Sequence, residues 1–384
     1  MTTSSAEALR LTMVITELDV GGAERAFVEV AKGLRERGWA VDVVSLRDAG
    51  PLAKPLQDAG IPVTPLHCGG FADVRAIFRL RRHLRKQRPA VVLSFLHQAN
   101  IVSRLAAWRL GVKAVVSGVR VADRRTSVVL TERVTRCCVD HFVAVSRSVA
   151  EAHAALCHIP SKQMTAIPNG VDVEGISQVP AADRRGFGLS DSDFVILCAG
   201  RLTEQKSPMD VLNAITQLKA NGQEGSRIRL LFVGDGPLRA RLESEIAARQ
   251  LESCVTLCGW RPDVVSIMKA SSVLVLASRW EGAPNVILEA QAAGLPVIAA
   301  DVDGCRDLIQ DGVTGRLFPS GDVARLAEIL QEHVLDSSHG QRMIQAARNW
   351  VQQNATWNSA VDRYNDLLRN LLTGKSPEAG VTNA

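Results

Sequence analysis

The stretch SVLVLASRWEGAPNVILEAQAAGLPVIAA, residues 272–300, decides how this chain folds. It opens on SVLVLAS and closes on LPVIAA, two apolar runs of strand length. Between them Pro284-Asn285 starts a helix over 285–293, with Val286, Ala290 and Ala293 on its apolar face. Near-continuous apolar strands separated by a helix mean a parallel sheet buried on both faces. Glu281 and Glu289 break this apolar texture. The first falls in the loop at the strand's carboxyl edge. The second lies about one turn into the helix and leans back toward its N-terminus. Both can face one crevice, where a carboxylate either accepts hydrogen bonds from vicinal hydroxyls or pairs with a neighbouring arginine.

The same grammar extends in both directions. LTMVITEL, AVDVVSL, IPVTPL, AVVLSFL, KAVVSGV and HFVAVS read as strands, with helical patterns near 23–37, 73–87, 99–110, 127–138 and 147–156. IPNGVDVEG interrupts with an Asn-Gly turn. The alternation then resumes with FVILCAG, IRLLFVG and VTLCG as strands, and with helices near 207–220, 237–249, 263–269 and 304–310. Residues 322–335, 339–353 and 357–372 are helical by pattern. The expected fold is α/β, two Rossmann-like doubly wound domains with C-terminal helices. The first spans 1–184, the second 185–355, and a helix in 356–375 either caps the second or crosses back to the first.

At 384 residues two domains are the natural reading, and 46% apolar residues fit a globular enzyme. MTTSSAEA and TGKSPEAGVTNA read as frayed ends. The start lacks a signal-peptide pattern and no run reaches transmembrane length, so a cytoplasmic protein is expected. The eight cysteines form no Cys-x-x-Cys pair and read as small buried thiols. Residues 1–184 carry 25 Lys/Arg against 17 Asp/Glu, the remainder 20 against 23. The basic half is therefore expected to meet something anionic.

Four further strand-end loops carry candidate chemistry. ITELDVGGAER puts Gly21-Gly22 between a strand and a helix, where backbone N–H groups can approach a phosphate or glycine merely makes a turn. CAGRLTEQKSPMD puts Arg201 and Lys206 before a helix opened by Ser207-Pro208. Two cations beside a helix N-terminus suit a diphosphate, although solvated surface charges have the same look. LLFVGDGPLRARL repeats the strand–glycine–helix order at Gly234, with Pro237 as first helical residue, and CGWRPDV adds a loop able to meet a nucleobase.

Gly21-Gly22, Arg201 with Lys206, and Glu281 with Glu289 followed by AAGLPVIA together resemble glycosyltransferase family 4, over nearly the whole chain and with VDHFVAVS and IPNGVD included. The resemblance implies the GT-B fold, two domains facing a central cleft that hinges near 168–185, and retaining sugar transfer from a nucleotide-diphosphate sugar to a glycan or lipid-linked acceptor. It implies that Arg201 and Lys206 bind the diphosphate and that Glu289 binds the ribose. Glu281 and the amides near Gly282 and Ala283 then face the sugar, while Gly22 closes over the phosphates. Gly21, Gly234, Pro284, Asn285 and Val286 complete the donor set. Where relatives carry a histidine after the fifth strand, SGVRVADRR places Arg120. His97, in SFLHQAN, is the remaining histidine at a ligand-facing edge and the candidate catalytic partner of Glu281, Arg201 and Lys206; a structural histidine is the competing reading.

No cofactor or metal is expected. Asp191-Ser192-Asp193 precedes a strand at its amino edge, and the resemblance puts a metal-independent loop at Asp301-Val302-Asp303. RAIFRLRRHLRKQRP gathers seven positive charges with an apolar stripe, so Arg75, Arg79, Arg82, Arg85 and Lys86 could meet the inner face of an anionic membrane or simply face water. Nucleic acid is not expected, since no aromatic residues interleave with the charge. The competing activities are a nucleotide-sugar epimerase or hydrolase on the same scaffold, and a catalytically silent sugar- or membrane-surface-binding module.

Overall fold

The computed structural model describes residues 8–70, 73–220, 228–335 and 337–374, so nearly all of both expected frayed ends lies outside the described residues. The chain forms two compact units. One runs to Gly170 and takes in the chain again from Trp357; the other is Val171–Thr356.

In the first unit seven strands form one parallel sheet: β1 (Arg10–Ile15), β2 (Ala40–Ser45), β3 (Val63–Pro65), β4 (Val91–Phe95), β5 (Ala114–Val119), β6 (His141–Ala144) and β7 (Met164–Ala166). Their spatial order is β3-β2-β1-β4-β5-β6-β7. β4 and β5 are buried throughout, which is why they read as unbroken apolar runs. The helix Trp357–Thr373 belongs to this unit. It places Val361, Tyr364 and Leu368 in the core with Phe27, Leu34 and Phe95. Only glycine fits at position 33, because a Cβ there would stand 2.6 Å from a methyl of Val361. Arg37 Nε pairs with Asp362 at 2.6 Å, and Trp39 Nε1 donates to Asn365 Oδ1 at 3.0 Å.

The second unit holds a six-stranded parallel sheet: β8 (Phe194–Ala199), β9 (Ile228–Val233), β10 (Val255–Gly259), β11 (Val273–Leu276), β12 (Val297–Ala300) and β13 (Arg316–Phe318), in the order β10-β9-β8-β11-β12-β13. The expected division after residue 184 moves upstream to Gly170/Val171. Val171 and Ile176 are apolar and join Ile287, Leu288 and Val351 in the second core, and Val171 N–H donates to Ala355 O at 2.8 Å. β7 and β13 escape sequence reading because each is a three-residue edge strand without an apolar run.

Each sheet order contains one reversal. In the first unit the chain moves outward from β1 to β3 and returns on the other side of β1 as β4. In the second it moves from β8 to β10 and returns beside β8 as β11. Open α/β sheets bind ligands outside the carboxyl ends of the strands at such reversals. The ligand-facing positions are therefore the loops after β1 and β4, and those after β8 and β11.

Candidate active site

The loops after β8 and β11 hold three of the charged residues expected from the sequence. Lys206 Nζ donates to Glu281 Oε1, and Ser278 Oγ donates to the same oxygen at 2.6 Å. The ion pair anticipated for this carboxylate is thus made with Lys206, not with an arginine. Glu281 is buried, 8% exposed, and burying an ion without a partner is costly. Lys206 and Ser278 remove that cost and fix the ammonium in place. Arg201 lies in the same loop as Lys206, is exposed, and makes no side-chain ion pair or hydrogen bond among the described residues. One cation is clamped and the other is available.

Backbone contacts stitch this loop to its neighbours. Arg279 N–H donates to Gln205 O at 2.8 Å, and Gln205 Nε2 donates to Trp280 O at 3.0 Å. Arg279 also pairs with Asp210 at 2.9 Å. Gly200 and Gly234 end β8 and β9 with φ of +153° and +137°, a region that glycine adopts without strain. A Cβ on Gly234 would collide with the carbonyl oxygen of Gly200. After β11, the Gly282 carbonyl packs against the backbone of Gly304, and Gly304 N–H donates to Glu281 O at 3.3 Å. The helix Asn285–Ala293 follows with Pro284 as N-cap, and Glu289 sits partly buried in its second turn. Burial, reinforced by the charge of Glu281, pushes the Cys305 thiol up and keeps it neutral beside the pair.

Sequence reading missed Ser278 and Gln205. Their signal was present, a serine ending a buried strand three residues before Glu281 and a polar residue just before Lys206. Of two expected helix starts, one holds and one needs correction. The helix after β8 begins at Pro208 as expected, and Ser207 before it, at a φ of +44°, donates its hydroxyl to Glu204 O at 3.0 Å. The helix after β9 starts at Arg239 rather than Pro237, because Leu202 and the Gly234–Leu238 turn bond to each other, with Leu202 N–H to Asp235 O at 2.9 Å and Leu238 N–H to Leu202 O at 3.0 Å.

The reversal of the first sheet is flanked by Gly21-Gly22 after β1 and by His97 after β4. Gly21 is the N-cap of the helix Gly22–Glu36, in extended backbone with no side-chain cap, so the amides of its first turn form the rim there. His97 opens the helix His97–Ala107 and is 25% exposed at its side chain. Arg120 follows β5. Its guanidinium lies 5.0 Å over the Phe95 ring and bonds Asn169, and burial holds its pKa below the usual arginine range against the opposing influence of Tyr364 and Glu24.

In each Asp-x-Asp triplet one aspartate is already paired. Asp193 is buried, accepts from Ser190 N–H at 2.8 Å and pairs with Arg229 at 3.3 Å; Asp301 pairs with Arg306 at 2.8 Å. Among the described residues no cluster of three His, Cys, Asp or Glu could hold a metal ion. Five cysteines are buried, but Cys137 is exposed and Cys138 and Cys258 are partly so, which corrects the expectation of buried thiols throughout. Among the described residues no helix is long and apolar enough to cross a membrane.

Comparison with known proteins identifies the family and the fold. The family described as Glycosyltransferase Family 4 matches residues 20–174, and Glycosyl transferases group 1 matches residues 181–350. The chain is 27% identical over 374 residues to a UDP-Gal:alpha-D-GlcNAc-diphosphoundecaprenol alpha-1,3-galactosyltransferase of Escherichia coli, covering 93% of this chain and 95% of that one. It is 24% identical to the lipopolysaccharide core biosynthesis glycosyltransferase LpsE of Rhizobium meliloti, covering 91% and 96%. The solved structure of Anabaena Alr3699/HepE in complex with UDP superposes with a TM-score of 0.81 at 20% identity, over 94% of this chain and all of that one. The two family matches together span most of the chain, which belongs to the family 4 glycosyltransferases and has the GT-B fold.

Proposed function

We propose that this glycosyltransferase moves a sugar from a uridine-diphosphate sugar to a hydroxyl of a glycan or lipid-linked glycan, with retention of anomeric configuration. The bond between the anomeric carbon and the diphosphate oxygen breaks and the acceptor oxygen takes its place. The acceptor proton leaves on the diphosphate, so the nucleoside diphosphate is the second product. The observation that carries the reading is the clamped Lys206 beside the available Arg201 at the β8/β11 reversal. Cations fixed in advance stabilise a leaving diphosphate without rearranging during reaction, and Arg201 can engage two oxygens at once. No divalent ion is assigned to the step. In this reading Glu281 faces the transferred sugar and Glu289 accepts from the ribose hydroxyls. Uridine is favoured by the donor named for the Escherichia coli relative and by the UDP of the Anabaena complex.

Calorimetric titration of the full chain with UDP, GDP and ADP in the presence of EDTA tests this. Micromolar binding of UDP is expected, weakened about 10- to 100-fold in Glu289→Ala, the worth of hydrogen bonds to a charged group. Binding of no nucleotide, or equal binding by the variant, removes the donor site as assigned. Consumption of UDP-sugar at full rate without an acceptor would favour an epimerase or hydrolase.

A lipid-linked acceptor also gives the basic helix Arg75–Gln87 a purpose. Val74 and Phe78 are 64% and 71% exposed, one turn apart. Arg82, Arg85 and Lys86 are exposed beside them with no ion pair among the described residues. Arg79 donates to the carbonyls of Leu66 and His67, and Arg75 pairs with Asp73, so these two contribute less than their charge suggests. The reading extends to this face lying on an anionic bilayer, where each cation contributes about 1 kcal/mol. Partition onto phosphatidylglycerol vesicles, measured by co-sedimentation, is expected to fall about 30-fold in Arg82→Gln/Arg85→Gln, which removes two cations. Unchanged partition, or none by the wild type, would remove the membrane from the account.

A further inference from the structure

The buried Glu132 has no part in the donor site, yet it organises His97. Glu132 lies on the helix Thr126–Thr135 and is 2% exposed. Its Oε1 is 3.0 Å from His97 Nδ1, and its Oε2 accepts from Arg104 Nη1 at 2.7 Å. Arg104 is fully buried. It donates further to Ser117 Oγ at 3.0 Å and Thr135 Oγ1 at 2.9 Å, and its guanidinium lies 5.1 Å over the Phe142 ring. His153, from the helix Arg147–Cys157, approaches Oε2 at 3.8 Å. A carboxylate in a core is ordinarily a liability. Burial opposes its ionisation, but the hydrogen bond from His97 and the charge of Arg104 hold its pKa down to about 2. An ionised Glu132 can only accept, so the proton in its contact with His97 sits on Nδ1.

That leaves Nε2 as the ring nitrogen able to change partners. It stands 3.2 Å from Thr131 Oγ1. The Thr131 hydroxyl is also within reach of Ser127 O at 3.0 Å and Val128 O at 2.9 Å. It is therefore not stranded when Nε2 turns to another group. Packing alone does not require this construction. An apolar pair of the same volume would fill the space between the two helices at no electrostatic cost. The ring it orients opens a helix at the carboxyl end of β4, beside the sheet reversal.

We infer that Glu132 is a positioning residue for transfer: clamped by Arg104, it fixes the His97 ring so that Nε2 meets a sugar hydroxyl bound at the carboxyl ends of β1 and β4. This rests on the transferase reading. The hydroxyl belongs either to the transferred sugar or to the acceptor.

The test is a double-mutant cycle on the full chain, with His97→Ala, Glu132→Gln and the two combined. Turnover is measured with UDP-galactose and a short-chain N-acetylglucosaminyl-diphosphopolyprenol, and UDP affinity is measured by calorimetry as a control. His97→Ala is expected to lower kcat about 10²-fold and Glu132→Gln about tenfold. Both should leave UDP affinity unchanged. The combined variant should be no slower than His97→Ala, because Glu132 acts only through the ring. Losses that multiply, or a Glu132→Gln loss that tracks its thermal stability instead of appearing in kcat, would make the carboxylate merely structural and overturn the inference. If Glu132→Gln fails to fold with Arg104 unpaired, Glu132→Gln/Arg104→Met removes both charges and takes its place in the cycle. A loss shared by acceptor-free hydrolysis of UDP-galactose puts the hydroxyl on the donor, whereas a loss confined to transfer puts it on the acceptor. Wild-type protein that neither binds UDP nor turns over UDP-galactose ends the transferase reading and this inference together. A wild type that does both, with variants indistinguishable from it, ends the inference alone.

Discussion

Lys206→Ala is expected to lower kcat/KM for sugar transfer about 10²- to 10³-fold, the loss typical of removing one preorganised group that stabilises charge in a transition state. The ammonium is already held by Glu281, itself held by Ser278, so it needs no reorganisation as charge develops on the leaving diphosphate. Arg201 remains in the variant but has no partner fixing it among the described residues, so it compensates only in part. The change also leaves Glu281, 8% exposed, without its cation. Ser278 still donates to it, and the gap left by the lysine chain admits water, which limits the stability cost to about 1–2 kcal/mol. Steady-state kinetics beside a urea titration separates the two effects. A tenfold loss or less, or an activity loss that parallels unfolding, would take Lys206 out of the transfer step.

Gly234→Ala is expected to lower the stability of the second unit by about 3 kcal/mol and to abolish donor binding with it. A φ of +137° is strained for any side chain. The added methyl would also meet the Gly200 carbonyl, a backbone atom that cannot rotate aside. Gly200 and Gly234 are tied across the sheet edge, with Gly200 N–H to Val233 O at 2.9 Å and Gly234 N–H to Gly259 O at 2.8 Å. Relief therefore has to move the loop that carries Arg201 and Lys206. Denaturant unfolding followed together with UDP calorimetry checks this. A variant within about 0.5 kcal/mol of the wild type that still binds UDP would show that the loop yields freely.

Much of the fold was legible because buried parallel strands are written as short apolar runs with helices between them, and β4, β5, β8 and β11 have that form. β7 and β13 were not legible: a three-residue edge strand has too few positions to carry a pattern. The candidate donor loops were legible for a related reason. Glycines and cations at strand ends stand out against apolar neighbours, as Arg201, Lys206 and Glu281 do. Glu132 and Arg104 did not stand out, since each occupies an ordinary position in a helical pattern and they lie 28 residues apart. Arg79 misled in the opposite direction, reading as a free surface charge when it serves two loop carbonyls.

The sequence by itself determined two parallel-sheet units and the strand-end loops that carry their charged residues, because local apolar periodicity and glycine placement are short-range properties. Only the tertiary structure decided where each sheet reverses, that Lys206 meets Glu281, that the last helix closes the first unit's core, and that Glu132 holds His97. Those outcomes depend on strand order and on which helices share a sheet face, and nothing in the local spacing of residues encodes either.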